Sequence, residues 1–210
     1  GPMMAASDRW EILVRGKGAH AAWPHRSADP VVCAAALVQA LQTLVSRNVD
    51  PLDSAVVSVT VIEGGTAFNV IPDKVVLKGT LRTLSEATRQ ALERRIGEVA
   101  AGLAAAHGCS AEYAFHRNYP VTINHPAAVA EFNRAAHAAF GNQRVRPVDA
   151  PVMGGEDFAF YGHHVPACFW VVGLIPPGKT DYPPLHATDF DFNDAALPVG
   201  IEMFCRLALR

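Results

Sequence analysis

The sequence predicts a mixed α+β and α/β chain: a ferredoxin-like β-α-β-β-α-β unit followed by an incomplete α/β layer. Three observations predict it. Residues 9 to 15 alternate apolar and polar as a half-buried strand does, two later stretches repeat apolar residues at helical spacing, and strand patterns flank both helices in the order that plan requires. With 210 residues, half of them apolar, the chain is long enough to bury a real core.

In the first strand Trp10, Ile12 and Val14 share one side, with Arg9, Glu11 and Arg15 on the other. Asp29 is then a natural N-cap and Pro30 a natural first helical residue. Val31, Ala34, Ala35, Val38, Leu41 and Val45 follow at helical spacing, until Asp50-Pro51 lies beyond the helix end. Strands are expected at residues 55 to 62 and 74 to 82, where Val57, Val59 and Val61, and then Val75, Leu77 and Leu81, each fall on one face. Gly64-Gly65 marks the loop between them. Thr83 and Glu86 read as a T-x-x-E capping box before a second helix, which carries Leu92, Ile96, Val99 and Leu103 and stops at Gly108. Residues 111 to 115 form the fourth strand.

Beyond Tyr119-Pro120 the pattern changes to a helix over residues 126 to 140, a loop over 151 to 157 and an apolar strand over 169 to 174. A proline-rich loop follows, and a last helix runs from Asp194 or Ala195 to residue 209 with Asp194 as its cap. One strand cannot make a sheet, so this layer is expected to be completed by strands outside the chain.

The formal charge of -2 and the lack of a basic run give no electrostatic reason to expect a nucleic acid or an acidic membrane as partner. Cys33, Cys109, Cys168 and Cys205 are widely spaced with no C-x-x-C pair, which suits free thiols in a reducing compartment and makes the cytoplasm the expected location. The charge-free run over residues 31 to 46 includes Gln39, Gln42 and Thr43 and reads as too short and too polar for a membrane span. A helix without charge still has to show one face to water, so that face and a neighbouring edge strand are expected to meet a second subunit about a two-fold axis. Burial by residues 120 to 210 is the alternative.

Several residues could carry chemistry. His20 lies in a loop rich in glycine and alanine, where a ligand can approach the imidazole, although a structural role is the default for a loop histidine. His25 beside Pro24 reads as structural. Asn69 holds an amide in an apolar loop, where it is either an oxyanion donor or a turn residue. Arg82 ends a strand on the face of Lys78 and Thr80 and could grip a carboxylate with two N–H groups, or be a solvated strand end. Gly154 and Gly155 precede a helix start and could offer backbone N–H groups to an anion, with Glu156 or Asp157 as the cap. The adjacent His163 and His164 cannot readily converge on one ion. His186, after Pro184-Leu185 and before the alternating run from Phe190 to Asp194, looks like one metal ligand with no local partner. No serine or cysteine nucleophile motif is present.

Taken in order, G-x-G-A-H-A-A-x-P-H with D-P, G-G-T-A-F-N-V-I-P, G-T-L-R-T, G-G-E-D-F-A-F-Y and P-L-H-x-x-x-F-D-F-N-D resemble the amidohydrolase branch of the dinuclear zinc carboxypeptidase and aminoacylase family. Hippurate hydrolase and the indole-acetyl-amino-acid hydrolases belong to that branch. The likeness covers almost the whole chain.

The resemblance implies a two-domain metalloenzyme in which a ferredoxin-like lid is inserted into a catalytic α/β domain and makes a homodimer. Residues 1–8 would be the crossing segment, 9–118 the lid and 119–210 the C-terminal segment of the catalytic domain. His186 matches the late metal ligand; His20 and Asn69 match lid residues that polarise the scissile carbonyl in the partner subunit. Gly154 and Gly155 match a substrate-pocket loop, and Arg82 a position that in some relatives holds the substrate carboxylate. Two divalent ions are implied, zinc first, with manganese, cobalt or nickel as alternatives. The half-domain that carries the other ligands and the general base in the family has no counterpart here, so the chain is expected to be a C-terminal portion, to bind little metal and to be inactive alone. The substrate implied is an N-acyl amino acid or related small amide. A non-catalytic module for dimerisation or small-molecule binding is the alternative.

Overall fold

A computed structural model describes residues 1–209. They form two compact units, one of Pro2–Ile123 with Ala150–His164, the other of Gly1, Asn124–Asp149 and the residues from Val165 on.

The first unit is built on a four-stranded antiparallel sheet. β2 (Ala6–Arg15) lies between β6 (Lys74–Thr83) and β7 (Ser110–Tyr119), and β4 (Ala55–Gly64) flanks β6, giving the order β4-β6-β2-β7. The short β1 (Pro2–Met4) pairs with β8 (Thr122–Ile123), and β3 (Ala19–His20) with β5 (Val70–Ile71). Two helices, α1 (Pro30–Asn48) and α2 (Glu86–Ala106), make the crossings between strands of the sheet. Alternation along β2 sends Trp10, Ile12 and Val14 into the core, where they join Leu37, Leu41 and Leu44 of α1 and Leu92 and Ile96 of α2. Each such side chain contributes roughly 1.5–3 kcal/mol of transfer free energy.

Two contacts give this core its shape. Gly79 faces Trp10 so closely that a Cβ there would overlap the indole Cζ2 and the Ser58 carbonyl oxygen, so only glycine lets the ring lie across β6. The buried Asp8 takes a two-pronged contact from Arg89, with Nε to Oδ2 at 2.8 Å and Nη2 to Oδ1 at 2.6 Å, and its Oδ1 also accepts the Asn118 N–H at 3.0 Å. Because both groups are buried, the geometry has to satisfy the carboxylate fully.

The expected helices and strands of this unit form, with longer ends. One cap differs: Ser85, not Thr83, starts α2, its hydroxyl accepting the Thr88 N–H at 3.4 Å. Thr83 pairs with both Ala6 and Ala55, which keeps it in the sheet with its hydroxyl buried and without a hydrogen-bond partner among the described residues. Helix α1 is also longer than its charge-free run. At 19 residues it meets the length and composition of a membrane span, yet Cys33, Ala34, Leu37, Leu41 and Leu44 pack in the core. Its outward positions include the polar Gln39, Gln42 and Thr43 beside the apolar Val31 and Val32, so the exposed face is mixed.

In the second unit α3 (Pro126–Phe140) and α4 (Leu197–Ala208) flank an extended segment. Trp170 of that segment stacks on Phe132 at 5.2 Å and on Phe204 at 5.5 Å between ring centroids. Asn124 holds the same segment by both ends of its amide, donating to the Phe169 carbonyl at 2.8 Å and accepting the Phe169 N–H at 2.7 Å. Residues 169 to 174, expected as a strand, are extended but join no ladder, since the described residues supply no strand beside them. The cap at the final helix differs as well: Asn193 accepts the Ala195 N–H and opens a 3-10 turn, Asp194–Ala196, ahead of α4.

Candidate functional site

The loop carrying His20 is shaped by backbone contacts. A Cβ on Gly16 would overlap the Ala28 carbonyl oxygen, and one on Gly18 would come 2.9 Å from the Ile71 oxygen, so the two glycines let this loop lie against its neighbours. Within it, His20 pairs with Val70 in the β3–β5 ladder, and the Ala21 N–H donates to the Asn69 carbonyl at 3.0 Å. Two residues far apart in sequence thus share one exposed edge.

The imidazole has a defined orientation. Its Nδ1 accepts the Ala22 N–H at 3.1 Å, so the neutral ring carries its proton on Nε2 and presents a donor there. The Trp23 ring lies 5.1 Å away, and the Arg26 guanidinium sits 5.4 Å from the centre of that indole. The side-chain amide of the exposed Asn69 makes no hydrogen bond among the described residues. Phe68 beside it is fully exposed. A ring N–H and a free amide, both unspent, are what an oxygen gaining negative charge requires.

A second group forms on the open face of the sheet. Arg82 stands opposite Ser7 in the β2–β6 ladder, and its Nη1 donates to the Ser7 hydroxyl. Gly155 lies over the same serine, where a Cβ on the glycine would come 2.5 Å from the Ser7 Cβ. Gly154 accepts the Ala5 N–H at 2.9 Å, which straps the glycine loop to the start of β2. Glu156 caps the following 3-10 helix, Asp157–His163, by accepting the Asp157 N–H at 3.1 Å. The structure therefore brings Arg82, Gly154 and Gly155 together around Ser7, a residue that the sequence did not single out. Its signal is the strand register, which appears only once β2 and β6 are paired.

His186 belongs to the second unit. It is exposed and has φ 70°, in a turn closed by the Ala187 N–H on the Pro184 carbonyl at 3.1 Å. A left-handed backbone is uncommon for a residue with a Cβ. Among the described residues no three His, Cys, Asp or Glu side chains gather as a cation-binding group. A hydrolytic ion takes at least three protein ligands, so the described residues do not by themselves fit a complete metal centre. His25, His163 and His164 are exposed, while His125, unremarked in the sequence, caps α3 through Nδ1.

With the fold and these groups defined, comparison with known proteins gives the class. Residues 34–210 match the model of Peptidase family M20/M25/M40, and the chain belongs to that family. It is 43% identical over 198 residues to an N-acetyl-L-cysteine deacetylase of Bacillus subtilis, covering 94% of this chain and 45% of that protein. It is 35% identical over 210 residues to the hippurate hydrolase of Campylobacter jejuni, covering all of this chain and 54% of that protein. A crystal structure from Bacillus subtilis described as a dinuclear metal-binding peptidase of the M20 family superposes with a TM-score of 0.75 at 32% identity, over all of this chain and 51% of that one. The chain spans about half the length of the curated relatives it matches.

Proposed function

We propose that this chain is the lid and the C-terminal catalytic segment of a metal-dependent amidohydrolase that cleaves N-acyl amino acids or related small amides. The observation that carries the reading is the bond from the Ala22 N–H to His20 Nδ1, which leaves Nε2–H as a donor beside the free amide of Asn69. The family membership and the printed activities of the relatives support it. In this reading residues 9–118 are a ferredoxin-like lid, supported by the β-α-β-β-α-β order and the β4-β6-β2-β7 sheet.

His20 and Asn69 donate to the oxygen of the scissile carbonyl as it becomes tetrahedral, and Arg82 pairs with the substrate carboxylate beside Gly154 and Gly155. His186 is one ligand of a site whose remaining ligands lie outside this chain. The ions are two divalent metals, zinc before manganese, cobalt or nickel, and the compartment is the cytoplasm. The lid makes a homodimer through α1 and the edge strand β4, whose exposed Val31, Val32, Val56 and Ile62 support an apolar contact there.

The test is hydrolysis of a panel of N-acyl amino acids by the full-length protein, with and without a chelator. Turnover that is lost on chelation and returns with a divalent ion is expected. No turnover on any member would favour a binding or association module instead.

A further inference from the structure

We infer that Ser7 is the positioning residue for Arg82, fixing the guanidinium so that its free edge receives a carboxylate. The inference rests on the proposal that Arg82 binds the carboxylate of the substrate. Three observations of the first unit carry it. The Ser7 hydroxyl accepts from Arg82 Nη1, whose other contact is a long one, 3.5 Å, to the Leu81 carbonyl. Nε and Nη2 of Arg82 have no partner among the described residues, which leaves N–H groups free for a two-pronged ligand.

The serine is itself held from two sides. Gly155 presses on it, with the space for a Cβ on that glycine lying 2.5 Å from Ser7 Cβ and 3.3 Å from Oγ. That loop cannot retreat freely, because the Ala5 N–H reaches both the Val152 and Gly154 carbonyls, at 3.1 and 2.9 Å, and the Val152 N–H binds the Met3 carbonyl at 3.1 Å. On the core side the next residue, Asp8, is locked to Arg89, and the β2–β7 register shifts between Ser7 and Asp8. Alternation along β2 turns Asp8 into the core with Trp10 and Ile12 and leaves Ser7 opposite Arg82 on the open face, while the extra residue of the bulge, Asn118, lies on β7. With Gly155 against it and Arg82 bonded to it, the half-buried Ser7 hydroxyl gives the planar guanidinium a fixed point of attachment.

The experiment measures initial rates of the full-length protein on hippurate and hippuramide for the wild type, Ser7→Ala, Arg82→Ala and the double variant. Arg82→Ala is expected to raise KM for hippurate by about 30-fold and to leave hippuramide nearly unchanged. Ser7→Ala is expected to raise KM for hippurate alone by about fivefold, with kcat held within about twofold, and to add nothing in the Arg82→Ala background. A Ser7→Ala effect that is equal on both compounds, or that adds fully to that of Arg82→Ala, overturns the inference. So does an unchanged hippurate preference in Ser7→Ala where Arg82→Ala loses it. If Arg82→Ala keeps the preference, the carboxylate role of Arg82 fails and the Ser7 inference falls with it; no turnover of either compound overturns both.

Discussion

The carbonyl of Asn69 accepts the N–H of Ala21 at 3.0 Å, a backbone bond that extends the β3–β5 pairing and couples the loop of His20 to the loop of Asn69. In the proposed function both side chains donate to the same developing charge, so removal of either is expected to affect the transition state more than the ground state. His20→Ala or Asn69→Ala in the full-length protein should lower kcat by about 10²-fold to 10³-fold with a much smaller change in KM. Steady-state kinetics on an N-acyl amino acid check this, and equal losses in both constants would indicate a structural role.

Gly79→Ala is expected to destabilise the first unit by roughly 1–3 kcal/mol, because the added methyl needs the space of the Trp10 ring and the Ser58 carbonyl. Urea unfolding followed by tryptophan fluorescence gives the shift in midpoint.

Asp8→Ala should be more damaging, by about 3–5 kcal/mol, since it leaves the Arg89 guanidinium buried without its partner. Replacing Asp8 and Arg89 together with apolar residues should cost less than the single change. A double-mutant cycle on unfolding free energies measures the difference.

Burial, and after it the neighbouring Cys109, push the Cys33 thiol from its ordinary value of 9.0 up to about 11. Below pH 9 both states hold the proton and the contribution of Cys33 is fully present. Between pH 9 and about 11 the unfolded chain releases the proton while the folded one keeps it, so stability falls as pH rises through that window. Cys33→Ala should flatten the decline, as read from unfolding free energy at a series of alkaline pH values.

The first unit was largely legible because its elements signal locally. Trp10, Ile12 and Val14 alternate, Asp29-Pro30 opens a helix, Gly108 ends one, and the core that results joins the faces so predicted. The cap of α2 was misread because Thr83 and Ser85 both precede a suitable turn, and only the pairing of Thr83 in the sheet decides between them. Residues 169 to 174 have strand composition, but a strand exists only beside another, and none lies there among the described residues. Among the candidate residues, His20, Asn69, Arg82 and His186 stand out by residue type and setting. Ser7 does not, because a hydroxyl on a strand becomes informative only when its cross-strand neighbour is known to be Arg82.

The proposed enzyme completes each site with His20 from one subunit and His186 from the other, which co-expression of two full-length variants, His20→Ala and His186→Ala, tests most directly. Each variant alone is expected to be nearly inactive, and the mixture to regain about a quarter of wild-type turnover, since half of the dimers are mixed and each of those has one intact site. A mixture no more active than its two components would contradict a site shared between subunits.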